Sequence, residues 1–152
     1  MRRLGLASLV LLLAACGGSS PATILPAAQR AQVRSTIVGL LRDFAAGDGK
    51  AVCARLTATG QASVIRAVGP ELTNFGITSC EDVVRVTAPQ LGAALRKELR
   101  DATVGGVTLS GTIATVAWSQ ISSPEGDLGA FFGHPKPLRL VEVDGVWRIS
   151  AL

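Results

Sequence analysis

The 152-residue sequence has no tyrosine, one histidine and three cysteines, and aromatic residues make up only 4% of it. Without tyrosine there is no phenolic hydroxyl to act as an oxyanion donor. With His134 as the sole imidazole, any serine nucleophile would depend on that one base, and no Gly-x-Ser-x-Gly turn occurs. With Cys16 set aside as part of an N-terminal signal, the two remaining thiols and one imidazole do not complete a tetrahedral metal set, so no metal is implied. Gly17-Gly18 and Gly105-Gly106 lack the lysine and the strand-to-helix context of a phosphate loop, and no cofactor is implied either. A basic stripe with interleaved aromatics is also missing, because the arginines are scattered among acids. Nucleic acid is therefore not an expected partner.

The N-terminus is where the sequence is most explicit. Arg2 and Arg3 precede an unbroken small and apolar stretch from Leu4 to Ala15, and Gly17-Gly18-Ser19-Ser20 follows. A spanning helix needs about 20 apolar residues, so this stretch reads as an export signal rather than a membrane span. Leu13-Ala14-Ala15-Cys16 resembles the bacterial lipobox. That resemblance implies a diacylglyceryl group on the Cys16 thiol and cleavage just before it, making Cys16 the acylated N-terminus. The alternative is an ordinary secretory signal with an incidental cysteine. On the lipobox reading, residues 1–15 are the signal peptide, 16–26 the lipidated cysteine with a flexible spacer, and 27–152 one folded domain. The expected location is the bacterial cell envelope, lipid-anchored and facing the extracytoplasmic side. The net charge of +4 falls by the two charges of Arg2 and Arg3 when the signal leaves.

Assigning Cys16 to lipid leaves Cys53 and Cys80. An even remainder in an oxidising compartment predicts one intrachain disulfide; two buried free thiols are the alternative.

Apolar residues Val33, Ile37, Leu40, Leu41 and Phe44 recur at helical spacing and predict a helix over Ala27 to Ala46. Asp48 is positioned to cap a second helix from Gly49 to Leu56, and Thr57 or Thr59 a third reaching about Ala67. Ser79 precedes a helix beginning at Cys80, which Pro89 interrupts before Leu91, Leu95 and Leu99 resume the stripe. Beyond Asp101 the period becomes two. Strands are expected over Thr103 to Leu109, Thr112 to Gln120, Leu138 to Val143 and Val146 to Ala151. Asp144-Gly145 suits a type I′ turn, which would set Val143 opposite Val146, Glu142 opposite Trp147 and Leu140 opposite Ile149. Helices followed by an antiparallel sheet make the expected fold class α+β.

In this order of elements, GDGKAVCARLT (Gly47 to Thr57), SCEDVV (Ser79 to Val84), GVTLSGTIATVAWS (Gly106 to Ser119) and VEVDGVWRISAL (Val141 to Leu152) resemble the nuclear transport factor 2-like superfamily, and more closely its bacterial exported lipoproteins. The resemblance implies N-terminal helices packed on a curved antiparallel sheet, forming a cone with an internal pocket. Some members of that superfamily are enzymes with acid-base residues inside the cone, and many others are binding or scaffold domains.

Trp118, Phe131, Phe132, Glu142 and Trp147 are the candidate pocket residues, with Gln120 beside them. Packing fits the aromatics better than ligand contact, and a solvated rim position fits Glu142 better than a place inside the pocket. His134, Glu125 and Asp127 together could form a general base, but their spacing fits solvated loop residues better. The reading is a membrane-tethered, non-catalytic lipoprotein that binds a small apolar ligand or an envelope protein. The alternative is a small cone-fold isomerase, hydrolase or dehydratase acting on a hydrophobic substrate.

Overall fold

The computed structural model describes residues 26–67, 74–128 and 136–151. Helix α1 (Pro26–Ala46) buries Val33, Ile37, Leu40, Leu41 and Ala45 along one stripe, as their three- and four-residue spacing requires. Helix α2 (Gly49–Ala54) starts at Asp48, whose side chain accepts from Ala51 N at 2.9 Å. Helix α3 (Ala58–Ala67) is capped by Thr57, whose hydroxyl accepts from Gly60 N at 3.1 Å. Helix α4 (Cys80–Thr87) follows Ser79, which accepts from Asp82 N and donates to the Asp82 carboxylate, so cap and first turn hold each other. Pro89 lies in a 3₁₀ turn (Ala88–Gln90), after which α5 (Ala93–Arg100) packs on α1 and buries Leu99.

Among the described residues seven short strands form two antiparallel sheets. Strands β2 (Thr108–Ser110), β3 (Ile113–Val116), β6 (Leu138–Val143) and β7 (Val146–Ala151) make one sheet in the order β2-β3-β6-β7. Strands β1 (Thr103–Val104), β4 (Ile121–Ser123) and β5 (Gly126–Asp127) make the other in the order β1-β4-β5. The α+β class is as expected. The β6–β7 register is too: Val143 pairs with Val146, Glu142 with Trp147 and Leu140 with Ile149. Asp144 and Gly145 have φ of 53° and 76°, the two positive values a type I′ turn needs. Leu138, Leu140, Trp147 and Ile149 are buried on the helix side together with Ala114 and Val116 of β3.

Three expected boundaries are corrected. Thr103 to Leu109 is two strands in different sheets, because Gly105 N donates to Gln120 O at 2.8 Å and Gly106 N to Gln120 Oε1 at 2.7 Å. The chain turns at these glycines, leaving β1 with β4 and carrying β2 to β3. The strand expected to reach Gln120 ends at Val116, since Trp118–Gln120 form a 3₁₀ turn. Helix α2 stops at Ala54, and Leu56 instead makes a parallel bridge to Ile149. Arg55 O accepts from Ile149 N and Ile149 O from Thr57 N, both at 2.9 Å. That short extended link between α2 and α3 occupies part of the open edge of β7, where unpaired backbone groups would otherwise face solvent.

Candidate functional site

Cys53 on α2 and Cys80 at the start of α4 are joined, with Cα atoms 6.0 Å apart. Both are buried, at 5% and 4% exposure. The bond is structural: it staples two helices whose caps, Asp48 and Ser79, set where each begins. Cys16, the expected lipid site, lies outside the described residues, as do Phe131, Phe132 and His134.

The other candidate pocket residues separate by burial. Trp147 is 2% exposed and Trp118 is 8% exposed, and both belong to the main apolar cluster with Ile37, Leu99, Ile121 and Leu140. Fully burying a tryptophan stabilises by roughly 4–6 kcal/mol in area terms. That outweighs the Trp147 indole N–H, which is buried without a partner among the described residues. Glu142 lies opposite Trp147 but two residues from the turn, and is only partly buried there. Gln120 does not converge with them. Its side chain is exposed and tied to Gly106 N at the point where the chain passes between sheets. Glu125 is exposed in the turn between β4 and β5, a small hairpin lying where a loop was expected.

Among the described residues no polar or charged residue is buried, and no group of three or more His, Cys, Asp or Glu is placed to hold a metal ion. Two shifted ionisable groups are Lys97 and Asp101 at the end of α5, with Lys97 Nζ 2.9 Å from Asp101 Oδ2. The hydrogen bond to Asp101, then its charge, raises the Lys97 pKa; the same bond lowers that of Asp101. This pair is fully exposed and belongs to the helix end.

Sequence reading did not single out the ion pair between Arg55 Nε and Asp43 Oδ2, at 2.7 Å, which ties the α2–α3 link to α1. It also did not single out Arg85 and Arg96, which line a hollow beside the end of α1. Neither arrangement has a local signal, since each joins side chains on different elements beyond the reach of a helical or strand period, Asp43 and Arg55 being 12 residues apart. No family model, no curated protein and no solved structure matches the chain.

Proposed function

We propose that this chain is a lipid-anchored domain of the bacterial cell envelope, held on the extracytoplasmic side through Cys16. In this reading the folded part is a non-catalytic binding domain of the nuclear transport factor 2-like kind, taking a small apolar ligand or an envelope protein. The observation that carries it is the Cys53–Cys80 bond. It uses two of the three cysteines, and Cys16 is the third. A structural disulfide also suits an oxidising compartment, which is where a lipobox signal delivers a protein. Helices packed on one face of an antiparallel sheet, with a glycine-marked bend between sheets, support the cone-like architecture at the level of layers.

The test is acylation. Expressed in a bacterium that processes lipoproteins, the unaltered chain is expected in the membrane fraction with a lipid-modified Cys16 at its N-terminus. Cys16→Ser is expected to leave the membrane fraction. An unmodified N-terminus beyond Cys16 in protein taken from native membranes would overturn the reading.

A further inference from the structure

A hollow of about 430 Å³ opens beside the C-terminal end of α1, lined by Ala45, Ala46, Arg85, Ala88, Pro89 and Arg96. Its volume lies in the range of sites that hold small molecules. Among the described residues two arginines line it and no carboxylate does. Arg96 is held in place, because its Nη2 donates to Ala88 O and Pro89 O, each at 3.1 Å. Those carbonyls close the turn after α4, so the guanidinium is fixed by backbone rather than left to swing. Its Nε is buried without a partner, and its Nη1 has no protein acceptor among the described residues. Arg85 adds a second cation. Its contact with Asp82 is at the surface, where its side chain is 74% exposed, and it can turn toward a guest.

From these contacts we infer that the hollow binds a small carboxylate with a short apolar body. A carboxylate is matched here by charge-assisted hydrogen bonds, one oxygen on the Nη1 of Arg96 and the other on the Arg85 guanidinium, and a preordered arginine loses little side-chain freedom in making its share. The lining also includes Ala45, Ala46, Ala88 and Pro89, so the body meets small apolar residues. The site lies at the end of α1 away from Pro26, about 30 Å along a helix of this length. On the tethered reading it therefore opens at the end of α1 remote from the anchor. The inference deepens the binding role proposed above but does not need the tether, so membrane partition and ligand titration fail independently.

The experiment titrates the purified full-length chain with sodium butanoate while following arginine side-chain N–H signals by NMR. Butanamide and inorganic phosphate serve as comparison probes. Saturable shifts of the Arg96 signals are expected with butanoate, at least tenfold weaker response with butanamide, and weaker binding of phosphate. Arg85→Gln is expected to weaken butanoate binding about tenfold with an unchanged circular dichroism spectrum. Arg96→Gln is expected to abolish binding, with Arg85→Gln retained as the variant that leaves the turn after α4 intact. Equal response to butanoate and butanamide, tighter binding of phosphate, or an Arg85→Gln titration identical to that of the unaltered chain would each overturn the assignment.

Discussion

Gly60 lies inside α3, where replacing glycine by alanine ordinarily stabilises a helix by about 1 kcal/mol. Here a Cβ would run into the main-chain oxygen of Ile149, which is held by its bond from Thr57 N. Backbone held in a sheet cannot give way as a side chain does, and overpacking of this kind costs about 1–3 kcal/mol. Gly60→Ala is therefore expected to lower the urea midpoint. Gly39→Ala meets only the flexible end of Arg55 and should lower it less. A Gly60→Ala midpoint at or above that of the unaltered protein would contradict the close approach of α3 to β7. At the same scale, Lys97 and Asp101 give a pH signature. Asp101 has a lowered pKa, so its contribution is present above the unfolded-state value and is lost as pH falls through the folded value. Lys97 has a raised pKa, so its contribution is present below the unfolded-state value and is lost as pH rises through the folded value. Asp101→Asn should thus cause a small loss of stability near neutral pH that disappears in acid and in high salt. Thermal midpoints at pH 7 and below pH 3, with and without salt, check this.

Among the elements, the β6–β7 hairpin is the one whose partner, register and buried face all follow from local residues. Asp144-Gly145 sets the turn, and the turn sets which residues oppose each other. Helix starts at Asp48 and Ser79 were legible for the same reason, since a cap bonds within its own first turn, and that of α3 was narrowed to Thr57 or Thr59, of which Thr57 is the cap. The Cys53–Cys80 bond joins α2 to α4 across 27 residues. In the chain-entropy model a loop of this size stabilises by about 3–4 kcal/mol. Cys53→Ala is expected to lose most of that, read as a lower denaturant midpoint with the α+β circular dichroism spectrum retained in its absence. A midpoint unchanged by the substitution would mean that helix packing alone holds α2 on α4.

At the scale of the whole molecule, the proposed lipid anchor and the disulfide of the fold fall on different cysteines. The described core runs from Val33 to Ile149, and Cys16 precedes it in sequence. Cys16→Ser is therefore expected to release the protein from membranes without moving its thermal midpoint, whereas Cys53→Ala is expected to lower the midpoint without releasing it. Fractionation and thermal unfolding of the two variants side by side distinguish these outcomes. A Cys16→Ser variant that unfolds as early as Cys53→Ala would show that the thiol serves the fold.

The sequence by itself determined the α+β class, the capped helix starts, the disulfide pair and the terminal hairpin, because each rests on period, parity or bonds made within a few residues. Only the tertiary structure decided that Gly105-Gly106 divides one strand pattern between two sheets, since an alternating run does not say which neighbour it will pair with. It likewise decided that Gln120 bonds the backbone there, and that Trp118, in a 3₁₀ turn rather than a strand, is a core residue. The hollow between Arg85 and Arg96 had no signature in the chain at all. It exists because the C-terminal end of α1, the end of α4 with the turn after it, and the middle of α5 come together there, and tertiary packing alone sets where helices meet in space.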